Sequence, residues 1–134
     1  MPGFVHPLAT GSTYRVLYVG NDVKFIAAFR EAVSEHVYRL VAGSDNESII
    51  LFLKSDIPYD LMLIDHDWRG SEGLELVRLA RSLGHRKRMP IVLLSTANLD
   101  EKTKALARKT KVVECALKTA YLSALLGRAI VADD

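Results

Sequence analysis

The feature that most limits the fold of this chain is the alternation of short apolar runs with segments of helical periodicity. The runs predict five strands, at residues 15–19, 37–42, 61–64, 91–94 and 112–117. Between and after them, apolar residues recur at helical spacing, as in the stripe of Phe25, Phe29 and Val33. Two of the runs, 61–64 and 91–94, are apolar throughout, as parallel strands covered on both faces are. The pattern therefore predicts an α/β protein with a parallel sheet between two helix layers.

The length and the connections restrict the topology further. A chain of 134 residues is one domain by the usual size range. Right-handed crossovers of this length leave few arrangements, and we expect the doubly wound five-stranded order 2-1-3-4-5 with helices on both faces. Residues 14–134 would form this domain, preceded by a flexible leader at residues 1–13. In such a sheet, ligands bind beyond the carboxyl ends of the strands, between the first and third.

Composition indicates an ordinary globular protein of a reducing compartment. Hydrophobic residues make up 49% of the chain and charged residues 25%, which excludes a disordered chain. The single cysteine, Cys115, has no partner in the chain for a disulfide. The first 13 residues lack the pattern of a signal peptide, and no apolar stretch approaches the roughly eighteen residues that span a bilayer. We expect a cytoplasmic protein with no membrane partner.

Positive charge is concentrated in one part of the chain. Ten of the 18 Lys and Arg residues lie between Arg78 and Lys111, where only Asp100 and Glu101 oppose them. Our interpretation is a solvated helix face with a polar loop at residues 85–88. The alternative is a docking surface for an acidic partner or nucleic acid. We do not expect direct binding of nucleic acid.

Three polar residues follow the last three apolar runs and indicate a chemistry. Asp65, Ser95 and Lys118 stand at the ends of the third, fourth and fifth predicted strands, which the expected topology makes neighbours. A carboxylate can accept a phosphoryl group, while a hydroxyl and an ammonium can stabilise its oxygens. A divalent cation would normally bridge phosphate and carboxylates. Each residue alone has a structural explanation, as a turn cap or an exposed side chain, but together they favour a functional site.

These residues lie in motifs by which the chain resembles a known family. The motifs are PYDLMLIDHDWRGSEGLELVR, PIVLLSTA and CALKTAYLSALL. Through them, from about residue 14 to 130, the chain resembles the response-regulator receiver domains of bacterial two-component signalling. The resemblance implies the flavodoxin-like receiver fold, with Asp65 as phosphoacceptor, Ser95 at the Ser/Thr position and Lys118 as the family's lysine.

The resemblance also implies a function and partners. A sensor histidine kinase or phosphotransfer protein would pass a phosphoryl group from a phosphohistidine to Asp65. The signal would reach a downstream effector protein through the face of the fourth helix, fifth strand and fifth helix, which could also form a homodimer. Residues Lys102, Lys104, Arg108, Lys109 and Tyr121 would mark this docking face. Such a module is not an enzyme, apart from self-catalysed phosphorylation and dephosphorylation.

The chain departs from the family at the magnesium site. Two acidic residues typically follow the first strand of a receiver, but here VLYVGND supplies Gly20 and Asn21. Losing a carboxylate beside a dication is costly, since two unit charges 4 Å apart gain about 4 kcal/mol at an effective dielectric of 20. We therefore expect weak Mg²⁺ binding by Asp65 and Asn21, with Asp22 and Asp67 as compensating ligands.

Other departures affect switching and keep alternatives open. Cys115 stands where the family commonly has an aromatic residue, Thr119 where it has proline, and Thr96 where it prefers a small residue. They support an alternative function, a pseudo-receiver that binds proteins without regulation by phosphate. A phosphatase or flavin enzyme on a related sheet is a weaker hypothesis, because no phosphate-binding loop of the type GxxxxGK[ST] follows the first strand.

Overall fold

Strands and helices alternate along the whole described chain. The computed structural model describes residues 13–34, 36–67, 72–112, 114–118 and 122–131. Its elements are β1 (Tyr14–Val19), α1 (Val23–Ala32), β2 (Tyr38–Gly43), α2 (Asn46–Lys54), β3 (Leu61–Asp65), α3 (Glu72–Ser82), a 3₁₀ helix (Gly84–Arg86), β4 (Ile91–Ser95), α4 (Glu101–Lys109), β5 (Glu114–Leu117) and α5 (Leu122–Val131). The predicted leader lies outside these residues except for Thr13, as do Trp68, Thr119 and Tyr121.

The five strands form one parallel sheet in the predicted order. Its strands run β2-β1-β3-β4-β5, so the order 2-1-3-4-5 is confirmed. In the register, Val19 pairs with Ile64, Asp65 with Leu94, and Ser95 with Leu117. The carboxyl ends of β1, β3, β4 and β5 therefore meet at one edge, where the polar residues begin.

Strand residues alternate between two hydrophobic cores, one on each face of the sheet. Leu17, Val19, Met62 and Ile64 pack with residues of α2 and α3. Val16, Tyr18, Leu61 and Leu63 pack with residues of α1 and α5. Because a parallel sheet has both faces covered, its central strands are almost wholly buried. This alternation decides on which face each polar residue at a strand end emerges.

Three helices begin with an aspartate that caps their free backbone N–H groups. Asp22 accepts from the backbone N–H of Phe25, Asp45 from that of Ser48, and Asp100 from that of Thr103. Asp100 is thus the N-cap of α4. None of the helices in the described ranges has the length and apolar character needed to cross a bilayer.

The fifth strand is shorter than the sequence indicated. We expected it from residue 112, but β5 begins at Glu114. The backbone N–H of Val112 donates instead to the carbonyl of Ala107, and Lys111 adopts a left-handed conformation with φ of 64°. These two features end α4, so Val112 belongs to the helix end although its side chain is buried.

Tertiary contacts explain one glycine and correct one expectation. Helix α3 begins at Glu72, and a Cβ on Gly73 would lie 3.1 Å from the Ile64 side chain. The glycine therefore lets the helix approach β3 closely. The polar loop at residues 85–88 contains a buried residue, Arg86, whose guanidinium donates to the carbonyls of Phe52, Leu53 and Ser55 at the end of α2.

Candidate functional site

Asp65 is the most buried of the three predicted site residues. Its side chain is 3% exposed at the end of β3, beside Lys118, which follows β5. The Lys118 ammonium lies 3.1 Å from Oδ2 of Asp65. The structure therefore brings the predicted carboxylate and cation together, as strand ends separated only by β4 should be.

The hydroxyl of Tyr18 is the second partner of Asp65. It donates a hydrogen bond of 2.6 Å to Oδ2, the same oxygen that faces Lys118. The other oxygen, Oδ1, is buried and has no hydrogen-bond partner among the described residues. Burial raises the pKa of the Asp65 carboxyl above its usual range, against the opposing hydrogen bonds from Tyr18 and Lys118. A buried carboxylate with one unpartnered oxygen and a raised pKa is suited to act as a nucleophile.

Sequence reasoning missed Tyr18, although the sequence carried a signal for it. We took this residue as part of the first apolar strand. In the register, Tyr18 is level with Leu63, and both lie on the face of α1 and α5. Asp65 is two residues further along β3, about 6.6 Å at the rise of a parallel strand, and it points to the same face. A phenol is long enough to cover that distance, which is how its hydroxyl reaches the carboxylate.

Gly20 leaves the space in which this contact forms. A Cβ at this position would lie 2.5 Å from the Tyr18 hydroxyl oxygen and 2.7 Å from its Cζ, and it would also overlap Oδ2 of Asp65. Real Cβ atoms essentially never approach heavy atoms within 3.0 Å. The glycine is therefore coupled sterically to the Tyr18–Asp65 hydrogen bond, and an acidic side chain at position 20 is incompatible with it.

Asp22 holds Lys118 rather than standing open to a ligand. Its Oδ2 accepts a hydrogen bond of 2.8 Å from the Lys118 ammonium, and its Oδ1 accepts from the N–H of Phe25 at the start of α1. The hydrogen bond from Lys118 is the main reason why the pKa of Asp22 is lowered. Burial alone would lower the pKa of Lys118, but its hydrogen bonds to Asp22 and Asp65 outweigh this and raise it. Lys118 is thus a charged bridge between two carboxylates.

Ser95 lies at the same edge but is turned to its own loop. Its hydroxyl donates a hydrogen bond of 2.7 Å to the carbonyl of Ala97, so the proton is not directed at Asp65. An open cavity of about 380 Å³ lies in front of it, lined by residues that include His66, Asp67, Thr96 and Asp100. The three predicted site residues are therefore not all bonded to one another. Asp65 and Lys118 form a pair, whereas Ser95 borders an adjoining cavity.

The residues present do not fit a magnesium site of the acidic-pair type. Mg²⁺ prefers near-octahedral oxygen ligands, commonly with one or two carboxylates. A side chain at position 20 would have to displace the Tyr18 phenol or the Asp65 carboxylate, Asn21 and Asp67 are exposed, and both carboxylate oxygens of Asp22 are engaged. Within the described ranges, no group of three or more His, Cys, Asp and Glu residues is placed to hold a metal ion. Oδ1 of Asp65 is the buried oxygen that could accept a cation, and the set Asp65, Asp67, Asn21 and Asp22 stays a prediction.

Among curated proteins, the chain is similar to the regulatory protein VirG of Agrobacterium fabrum. The two are 29% identical over 92 residues, which are 69% of this chain and 35% of VirG. The chain thus spans about a third of the length of that relative. No protein-family model matches the sequence.

Solved structures show the same fold. A response regulator receiver protein from Pseudomonas putida is 25% identical with a TM-score of 0.71, covering 92% of this chain and 98% of that one. A response regulator from Thermotoga maritima is 24% identical with a TM-score of 0.72, covering 90% and 99%. The receiver domain of a sensor histidine kinase from Pseudomonas aeruginosa PAO1, which has a magnesium ion coordinated in its active-site cleft, is 18% identical with a TM-score of 0.73, covering 90% and 99%.

Proposed function

We propose that this chain, whose fold is that of the response-regulator receiver domains, accepts a phosphoryl group on Asp65. The observation that carries the proposal is the state of Asp65, which is 3% exposed, paired with Lys118 through Oδ2 and, among the described residues, unpartnered at Oδ1. The donor would be the phosphohistidine of a sensor histidine kinase or a phosphotransfer protein. Signalling rather than turnover is the proposed role, with self-catalysed phosphorylation and dephosphorylation at most.

The proposed transfer is a single displacement at phosphorus. A carboxylate oxygen of Asp65 forms the new bond while the P–N bond of the phosphohistidine breaks, and the released imidazole takes up a proton from solvent. The Lys118 ammonium, held by Asp22 at 2.8 Å, offsets negative charge on the acceptor before and after transfer. Because Asp22 holds the Lys118 ammonium in place, the ammonium need not move during the transfer.

Ser95 would respond to the phosphoryl group by turning its hydroxyl. At present that hydroxyl bonds the Ala97 carbonyl, in the loop that leads to the N-cap of α4 at Asp100. Donation to a phosphoryl oxygen would release Ala97 and let the loop before α4 move. This gives a local route from Asp65 to the face formed by α4, β5 and α5, through which we propose that the signal is relayed.

The proposed relay face contains a concave region. A cavity of about 300 Å³ between α4 and β5 is lined by Lys104, Ala107, Arg108, Val112, Glu114 and Cys115. Cys115 is half-buried there, at the position where receivers commonly carry an aromatic residue. We propose that a downstream effector protein, or a second copy of the chain, docks on this face. We place the exchange in the cytoplasm, the reducing compartment that the single cysteine favours.

Magnesium has a reduced part in this proposal. We propose weak binding at Asp65, because position 20 supplies no carboxylate and Asp22 is engaged with Lys118. When bound, the cation would neutralise charge on the phosphoryl oxygens. The residues described here hold and orient Asp65 without it.

An intact-mass spectrum after incubation with acetyl phosphate tests the proposal. We expect an adduct of one phosphoryl group on the parent protein and none on Asp65→Asn. Asp56→Asn is the matched control, since Asp56 is exposed beyond the end of α2 and should leave the adduct unchanged. Absence of the adduct from a folded parent, with and without Mg²⁺, would contradict phosphoryl acceptance.

The pseudo-receiver is the second candidate, and a specific observation favours it. Oδ2 of Asp65 already interacts with two donor groups of the protein, the Tyr18 hydroxyl and the Lys118 ammonium. These protein contacts hold the carboxylate in place by themselves. Such a module would bind its effector with the same affinity whether or not acetyl phosphate is present. Affinity that depends on Asp65 and on acetyl phosphate would exclude it.

A further inference from the structure

The closed space at Gly20 and the hydroxyl of Tyr18 together point to a different way of holding the acceptor. Tyr18 is fully buried, and its ring packs on Phe25 with centroids 5.0 Å apart. Its hydroxyl bonds Asp65 and in turn lies 3.4 Å from the backbone N–H of Asp22. The phenol is therefore fixed at both its ring and its oxygen, and it occupies the room that a side chain at position 20 would need.

The charge in this pocket differs from that of a pocket with an acidic pair. Asp65 and Asp22 are negative, Lys118 is positive, and Tyr18 is a neutral phenol whose hydroxyl donates to Asp65. The cluster thus carries one net negative charge. Two further carboxylates would add negative charge that only a cation could balance. A glycine and an amide in place of these two carboxylates leave no additional negative charge that a dication would have to balance.

The hydrogen bonds also distinguish the two oxygens of Asp65. Oδ2 accepts from the Tyr18 hydroxyl and faces the Lys118 ammonium, whereas Oδ1 has no partner in the part of the chain that the structure describes. An oxygen with two donors is a poorer nucleophile than one with none. After transfer to Oδ1, Oδ2 becomes the carbonyl oxygen of the acyl phosphate, where the same two donors remain favourable.

We propose that Tyr18 is a positioning residue for phosphoryl acceptance: its hydroxyl fixes Oδ2 of Asp65, so that Oδ1 takes the phosphoryl group without a divalent cation. The inference rests on the proposed function of Asp65. In the transfer, the Oδ1–P bond forms and the bond from phosphorus to its leaving oxygen or nitrogen breaks. The leaving group departs with the electron pair. Tyr18 keeps its proton throughout and acts only by holding the carboxylate.

The first experiment measures the rate of adduct formation from acetyl phosphate by intact mass, in EDTA and in Mg²⁺. We expect the parent rates in the two conditions to agree within about twofold. Tyr18→Phe keeps the ring and removes the hydroxyl, and it should lower the rate in EDTA about tenfold, the factor that one hydrogen bond to a charged group supplies. Tyr38→Phe is the matched control, because Tyr38 stacks on Tyr14 at the other end of β1 and should not change the rate.

The second experiment measures metal binding without phosphorylation. In Tyr18→Val/Gly20→Asp/Asn21→Asp, the phenol is removed and two carboxylates are introduced. We expect Mg²⁺ to raise the thermal midpoint of this variant relative to Na⁺ at equal ionic strength, but not that of the parent. This readout depends on the space and charge around Asp65, not on transfer.

The outcomes distinguish failure of the role proposed for Tyr18 from failure of phosphoryl acceptance by Asp65. An adduct that forms only with Mg²⁺, or a Tyr18→Phe variant that is phosphorylated in EDTA at the parent rate, would overturn the role of Tyr18 while Asp65 remains an acceptor. No adduct in either condition would overturn the proposed function itself. A parent midpoint raised by Mg²⁺ as much as that of the triple variant would overturn the claim that Tyr18 takes the place of a metal site.

Discussion

Replacing Gly20 by alanine places a methyl group against two buried side-chain atoms, the Tyr18 hydroxyl oxygen and Oδ2 of Asp65. The new Cβ would lie 2.5 Å from the Tyr18 hydroxyl oxygen, whereas ordinary contacts begin near 3.4 Å. One of the two groups must therefore shift by about 0.9 Å. Tyr18 is fully buried against Phe25, so the shift breaks its hydrogen bond to Asp65 rather than carrying the ring into solvent.

The expected cost follows from three contributions. Overpacking of a filled interior costs about 1–3 kcal/mol. Loss of a hydrogen bond to a charged group costs about 1.5–3 kcal/mol. The substitution also restricts the unfolded chain, which restores about 0.4–1 kcal/mol. We therefore expect Gly20→Ala to lower the free energy of unfolding by about 1.5–5.5 kcal/mol.

Urea unfolding followed by circular dichroism measures this free energy, and a double-mutant cycle locates its origin. In a Tyr18→Leu background the hydroxyl is absent but the overlap with Oδ2 of Asp65 remains, so Gly20→Ala should cost less than in the parent by about 1 kcal/mol or more. Gly127→Ala is the control, because a Cβ there meets nothing within 4 Å and alanine favours the interior of α5. Equal costs of Gly20→Ala in the two backgrounds would refute the steric coupling to Tyr18.

Three further predictions concern other parts of the fold. Arg86→Met should lower the free energy of unfolding by about 3–5 kcal/mol, because it leaves three carbonyls at the end of α2 without their donor. The control Arg88→Met, at an exposed position, should change this free energy by less than about 0.5 kcal/mol. Comparable urea midpoints of the two variants would contradict the prediction. Burial raises the pKa of the Cys115 thiol, so native protein at neutral pH should react with iodoacetamide more slowly than urea-unfolded protein, and equal rates would argue against burial. Charge reversal at Lys104 and Arg108 should weaken partner binding in pull-down titrations, and unchanged affinity would remove α4 from the docking face.

The sequence was sufficient for the sheet because the relevant signals are local. Continuous apolar runs at 61–64 and 91–94 predicted buried parallel strands, and crossover handedness then restricted the order. Asp65 and Lys118 could be placed together because each directly follows a strand whose position in that order was known. Where local pattern and topology suffice, fold and site could be predicted together.

The remaining features depend on contacts that a one-dimensional pattern does not contain. The sequence predicts that Arg86 is a surface residue, because its acceptors, the carbonyls at the end of α2, lie more than thirty positions earlier in the chain. Tyr18 is apolar enough to count as core, and only the register of β1 against β3 shows that its hydroxyl reaches Asp65. Ser95 was correctly placed at a strand end, but its bond to Ala97 depends on the conformation of the loop.

The bridge made by Lys118 also has a consequence for the order of folding. Its partner Asp22 stands 96 positions earlier, so the loop that this ion pair closes is most of the chain. Contacts between residues so far apart in the sequence form late, because closing the loop costs chain entropy before the contact contributes any stability. A nascent chain in which β5 has not yet added to the sheet has Asp65 but no cation beside it. The Asp65–Lys118 pair is thus completed only with the last strand, so under the proposed function the chain could accept a phosphoryl group only after the sheet is complete.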